Sequence, residues 1–270
     1  MPTSSDGIFE ATFDPAWAAV NLIVDGGMWP SAVASITIAR QVAGVPDVPV
    51  RGVDSLAVVG GYFVGSDSEA PLESPVTYQL TGYAANGTVV KVVVVAVDTT
   101  GAADGLWVKV PGRPSLTVCT RFRELGDIQS ATIGGTYQIL GAGTVAQTTA
   151  QWGGISADRT RVGLTTGRGA HTARLDEALR TARVVLLQPV GTTDLPPGWY
   201  YVSTVTRSNP GGFEEFAERW WSLDVERTET PAGDGRGIPG VSWQSVLDTY
   251  PTWTSVLADV DTWFDLQLGA

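Results

Sequence analysis

Apolar and polar positions alternate through most of the first hundred residues. Ile8–Phe13 alternates, Ala18–Val24 and Ala34–Ala39 are short β-rich runs, and Ile36 and Ile38 share one strand face. Ser55–Val59, Thr77–Tyr83 and Thr88–Val97 continue the pattern. The last two runs flank Asn86-Gly87, a hairpin signal because both residues tolerate positive φ. Short strands broken every eight to twelve residues predict a β-sandwich over residues 1–103, of the immunoglobulin or fibronectin-III kind.

The pattern changes after the turn-rich stretch 98–105, where a domain boundary is expected. Leu106–Val110, Ser115–Arg123, Ser130–Ile139 and Thr144–Gln151 read as strands. Leu175, Ala178, Leu179 and Ala182 then recur at helical spacing, which predicts a helix near Thr172–Ala182. Thr172 is its candidate N-cap, with Asp176 and Glu177 near the positive end. Val184–Leu187, Trp199–Arg207 and Phe213–Arg227 return to strand. Residues 104–230 therefore read as a β-rich second domain with one helix. The fold class is mainly β.

The C-terminal end obeys a different rule. Residues 231–241 are a Gly/Pro-rich linker, and 242–270 carry a repeat of period ten. Ser242-Trp-Gln-Ser-Val-Leu is echoed by Thr252-Trp-Thr-Ser-Val-Leu and then by Thr262-Trp-Phe-Asp. Each unit opens on an N-cap type, and Pro251 forbids one continuous helix, so short capped helical turns are expected. So short a segment cannot bury three Trp by itself. Trp243, Val246, Leu247, Trp253, Val256, Leu257 and Trp263 are therefore the candidate partner-binding residues.

Composition narrows the function. The 270 residues carry 28 Asp+Glu against 17 Lys+Arg, a net charge of −11, which argues against a nucleic-acid partner. One Cys and one His exclude an internal disulfide and a Cys/His zinc site, so no metal and no cofactor are expected. No apolar run is long enough to span a bilayer, so membrane insertion is not expected. The first residues show neither a basic n-region nor an apolar h-region, so synthesis in a cytoplasm is the expectation.

The chemical motifs are weak. Gly141-Ala-Gly-Thr-Val-Ala146 fits a dinucleotide pattern, yet Gln147 onward does not open a helix. Gly235-Arg-Gly-Ile-Pro-Gly240 has no strand ahead of it. His171 lacks a nucleophile elbow and reads as a surface residue. Cys119 reads as a small buried strand residue. Glu214, Glu215, Glu218, Asp224 and Glu226 could supply a glycosidase pair only if two faced one cleft. Trp199, Trp220 and Trp221 fit either strand packing, which is favoured, or a sugar-binding platform. Arg121/Arg123 and Arg159/Arg161 are spaced to share strand faces, as in a solvated face or a subunit contact.

Three stretches in order resemble minor tail proteins of long-tailed bacteriophages that infect actinobacteria. The region from Val50-Arg-Gly52 through Asp67-Ser-Glu-Ala-Pro71 to Val76-Thr-Tyr78 is similar to their immunoglobulin-like modules. Leu106-Trp-Val-Lys-Val-Pro-Gly-Arg-Pro-Ser-Leu116 resembles the stretch that introduces their second domain, though Val110 replaces the usual acidic step. The Trp decads resemble their C-terminal tails. The resemblance implies a non-enzymatic virion component at the distal tail or tail tip, assembled in the host cytoplasm. It implies a distal-tail-like second domain and a homo-oligomer, trimer or hexamer, around the tail axis. The implied partners are tail-tube, tail-tip or tape-measure proteins, and a host surface glycan in a receptor-recognition variant. A carbohydrate-binding module is the alternative, and a cell-wall-degrading enzyme stands behind it.

Overall fold

A computed structural model describes residues 3–231 of the chain, apart from 26, 28, 30–32, 58–61, 111, 130–131, 140–146, 156–157, 168, 192–193 and 210–217; of 62, 132–139 and 147–155 it describes the backbone. The described chain is mainly β with a single α-helix.

The N-terminal strands form two facing sheets. β1 (Phe9–Asp14), β2 (Ala19–Asp25) and β6 (Tyr62–Asp67) make the first, in the order β1-β2-β6. β3 (Ser35–Gln41), β4 (Val48–Pro49), β5 (Leu56–Ala57), β7 (Pro75–Tyr83) and β8 (Val89–Asp98) make the second. Its order is β4-β3-β7-β8, with β5 also on β3. Alternation does what it predicts. Phe9, Ala11, Val20, Leu22 and Val24 meet Ile36, Ile38, Val76, Tyr78, Leu80, Val93, Val95 and Val97 in one buried core. β7 and β8 form the expected hairpin around Asn86-Gly87, where Gly87 has φ +82°.

The later strands close a barrel. β9 (Gly105–Lys109), β10 (Val118–Leu125), β13 (Arg159–Gly167), β14 (Val184–Val190), β15 (Gly198–Ser208) and β16 (Glu218–Thr228) run in the order β10-β13-β16-β15-β14-β9, and β9 pairs back onto β10. All pairs are antiparallel. Leu106, Val108, Val162, Leu164, Val185, Leu187, Tyr200, Trp221 and Leu223 share the barrel core. Helix α1 (Ala170–Thr181) joins β13 to β14 and adds Leu175, Ala178 and Leu179 to that core.

Several local expectations need correction. Ser115 and Leu116 lie in a 3-10 turn, Pro114–Leu116, because Pro114 favours a first-turn position; the strand starts at Val118. Helix α1 begins two residues before Thr172, behind Gly169 at φ +92°, so Thr172 is not its N-cap and no acidic side chain sits in its first turn. The Thr172 hydroxyl instead donates to Gly167 O at 2.7 Å and lies 2.9 Å from Thr166 Oγ1. That Thr166 hydroxyl accepts from the buried Trp221 Nε1 at 2.9 Å. β4, β6 and β13 are additional strands.

β11 (Thr132–Ile139) and β12 (Gln147–Ile155) form a hairpin that pairs with no other strand among the described residues. Its root is closed by reciprocal bonds between Gln129 and Arg159, at 2.8 and 2.9 Å.

Candidate functional site

Strand β9 is buried on both faces, and this fixes the junction between sandwich and barrel. Leu106 and Val108 point into the barrel. Trp107 and Lys109, at the alternate positions, point outward and meet the sandwich. Trp107 packs with Ala18, Ala102 and Val190 beside Phe13 and Leu72, and its Nε1 donates to Ala103 O at 3.0 Å. Lys109 is fully buried. Its ammonium donates to Ala18 O and, at 3.0 Å, to Ser68 O. Gln188 of the adjacent β14 donates to Ala70 O at 2.8 Å. Barrel side chains thus satisfy backbone carbonyls of the sandwich loops, which burial would otherwise leave unpaired.

Behind Lys109 lies a buried ionic group. Arg40 of β3 places Nη1 at 2.9 and 2.7 Å from the two carboxylate oxygens of Asp67, at the end of β6. The Tyr78 hydroxyl donates to the same carboxylate at 3.0 Å. Burial pushes the Lys109 amine down to about 7, with Asp67 opposing this and Arg40 adding to it. Burial, reinforced by Asp67, pushes the Tyr78 hydroxyl well above its ordinary value. Burial works against the Arg40 charge, but Asp67 overcomes it and its pKa is raised. The chain's other lysine, Lys91, pairs with Asp6 at 2.6 Å; that hydrogen bond, the Ser4 hydroxyl bond second, holds the Asp6 carboxyl down to about 2.

The outward face of the second sheet has the opposite character. Its register aligns Pro49–Ala39–Gln79–Val94, Thr37–Thr81–Val92 and Gln41–Thr77–Ala96 in cross-strand rows. None of these ten residues is charged. Val92 and Val94 are 48% and 53% exposed, and Val45 and Val89 are exposed beside them. Charges enter at the rim: Asp54 accepts from Thr37 at 3.4 Å, Asp47 from Gln41 at 2.8 Å, and exposed Asp98 ends β8 opposite Pro75.

The structure sorts the sequence-derived candidates. Trp243, Val246, Leu247, Trp253, Val256, Leu257 and Trp263 lie outside the described residues, as do 141–146, 235–240, Glu214 and Glu215. The strands flanking 141–146 pair with each other, and β12 rather than a helix comes after them. His171 is exposed on the first turn of α1. Cys119 is half-buried at the junction rather than in a core, and burial pushes its thiol up to about 11. Such a thiol is a poor nucleophile.

The carboxylates face arginines across the barrel wall. Arg159 meets Glu226 at 2.9 Å, Arg161 meets Asp224 at 2.8 Å and Arg121 meets Glu218 at 3.4 Å. The first two are directly opposed residues of β13 and β16. Trp199 and Trp221 are buried, and the half-buried Trp220 is covered by the Arg123 guanidinium, 4.0 Å from its ring centre. A cleft of about 330 Å³ opens by the start of α1, lined by Thr172, Asp176, Arg207 and Arg219. Asp176 already engages Arg180 at 2.7 Å and Arg207 at 3.6 Å, so much of the positive charge there is answered internally.

Among the described residues no three His, Cys, Asp or Glu side chains converge as metal ligands, and no helix is long and apolar enough to cross a membrane. Sequence reasoning missed the junction group. Lys109 ends strand β9, where a lysine ordinarily marks a solvated position, and Asp67 stands in a turn-like Ser-Asp-Ser stretch. Compared with known proteins, the chain matches no family model and no curated protein.

Proposed function

We propose that this chain is a structural subunit of a bacteriophage tail, placed at the distal tail or tail tip and acting by assembly with copies of itself and with other tail proteins. On this reading the sandwich is an immunoglobulin-like or fibronectin-III-like module and the barrel is the distal-tail-like domain. The observation that carries the assembly part is the isolated β11–β12 hairpin. A two-stranded hairpin is at best marginally stable in water and gains from a third strand or a covering surface. Its paired backbone extends from the barrel at the Gln129–Arg159 root and meets no further strand among the described residues. Such an arm suits insertion against a neighbouring subunit. The virion placement rests on the resemblance of Leu106–Leu116 and of the Trp decads.

The test is deletion of residues 130–158 with a short Gly-Ser bridge from Gln129 to Arg159. The full chain should sediment as a closed oligomer, and the shortened chain as a monomer with an unchanged melting temperature. Antibody against the chain should label one end of the phage tail. A full chain that stays monomeric at all concentrations, alone and with other tail proteins, together with unlabelled virions, would overturn the proposal.

A further inference from the structure

We propose that the uncharged outward face of the β4-β3-β7-β8 sheet is the seat of the chain's own C-terminal segment, residues 242–263. This goes beyond the assembly reading and stands without it.

The face is unusual in its chemistry. On a chain of net charge −11 it presents ten residues in three register rows without one charge. Of the ten large apolar side chains that are exposed among the described residues, four, Val45, Val89, Val92 and Val94, belong to this face or the turn beside it. Covering a charged face with an apolar occupant would cost far more than covering this one, whose polar groups are neutral hydroxyls and amides. Thr77 offers an acceptor for an indole N–H group, which seeks a partner when buried, and Gln79 Oε1, which accepts from Gln41 at 3.2 Å, keeps a second lone pair.

The chain also leaves the described region at this place. The Arg51 guanidinium donates to Pro231 O at 3.1 Å, and Arg51 lies two residues after Pro49, which opens the longest row. Beyond Pro231 the chain runs through a ten-residue linker into the Trp decads. A random coil of that length spans roughly 18 Å root-mean-square. Four strands at about 4.8 Å spacing are only about 14 Å across. A segment of that length therefore reaches every strand of the sheet. A tethered segment acts at an effective concentration near millimolar, which favours its own sandwich over another copy's. Trp243, Val246, Leu247, Trp253, Val256, Leu257 and Trp263 would then have their first partner within the same chain.

Limited chymotrypsin digestion of the full chain tests this, with cleavage inside 242–263 mapped by mass spectrometry. The wild type should be cut there about tenfold more slowly than the Val92→Glu/Val94→Glu double variant, with equal melting temperatures because both side chains face outward. In a second, tail-side variant, Trp243→Ala/Trp253→Ala, hydroxyl-radical labelling of Val92 and Val94 should rise about threefold. Equal cleavage of wild type and double variant, or unchanged valine labelling, would overturn the proposal. So would protection that vanishes on dilution, because the segment would then sit on a second copy.

Discussion

Replacing Lys109 by Met removes the ammonium at the junction while keeping most of the side-chain volume. The amine is fully buried and donates to Ala18 O and Ser68 O. Two carbonyls would lose their donor, at about 1–3 kcal/mol each. The loss should depend on pH. Burial holds the folded amine near 7, whereas an unfolded lysine titrates near 10.4. Between these values the unfolded chain binds more protons, so stability rises with pH, by at most about 1.4 kcal/mol per unit. The contribution is complete above the unfolded value and is lost as pH falls toward 7. Tyr78 and Cys119, both shifted upward, act in the opposite sense only once their unfolded forms ionise, near pH 9 and above. The clean window is therefore pH 7 to 9. Urea denaturation monitored by tryptophan fluorescence should show wild-type stability rising by up to about 3 kcal/mol across that window. The Lys109→Met slope should be nearly flat, and its deficit larger at pH 9 than at pH 7. A variant that keeps the wild-type slope, or a deficit equal at both pH values, would refute the assignment of a buried, largely neutral amine.

Two further substitutions separate buried from exposed charge. Asp67→Ala strands the Arg40 guanidinium and the Tyr78 hydroxyl inside the protein, and should lower unfolding stability by about 3–5 kcal/mol in the same assay. A double-mutant cycle on Arg161 and Asp224, an equally short pair on the exposed barrel wall, should return a far smaller coupling in thermal melts, because water screens both charges. Similar values for the two sites would contradict the difference in burial.

The strands were legible where one face met a core and the other met water. β3, β7 and β8 alternate cleanly, and their inward residues are the buried ones. Legibility failed where that premise failed. β6 carries Gly65 and ends in Ser66-Asp67, so it reads as turn, although its Asp67 is buried against Arg40 and Tyr78. β9 was readable as a strand, but not as one buried on both faces, because its second face meets the sandwich loops. Barrel closure depends on β9 pairing with both β10 and β14, the latter some 80 residues away, and alternation carries no information about partners. Carboxylates that look like candidate catalytic groups in a linear reading acquire arginine partners only through the β13–β16 register. The start of α1 was displaced because Gly169, not a hydroxyl residue, turns the chain into it.

The placement of charge connects the sandwich, the barrel and the arm. The interior basic groups, the Arg40 guanidinium and the Lys109 amine, are committed to carboxylate or carbonyl oxygens at the base of the sandwich, and Arg51 joins Glu69 to Pro231 O at its margin. Of these, the Lys109 contacts tie sandwich loops to a barrel strand, and the Arg51 bond ties the sandwich to Pro231, just beyond the last barrel strand. Those cross-junction contacts would have to be broken, leaving buried polar groups unpaired, for the junction to hinge. A stiff junction has a consequence for assembly. If the β11–β12 arm inserts against a neighbour, the sandwich face is carried to a fixed position relative to that neighbour. Loosening the junction should then blur the assembly without weakening the arm's own contact. Lys109→Met, which leaves the arm untouched, should therefore keep the sedimentation size of the oligomer while broadening its sandwich density in averaged electron micrographs. Sharp sandwich density in that variant would show that the geometry is set elsewhere.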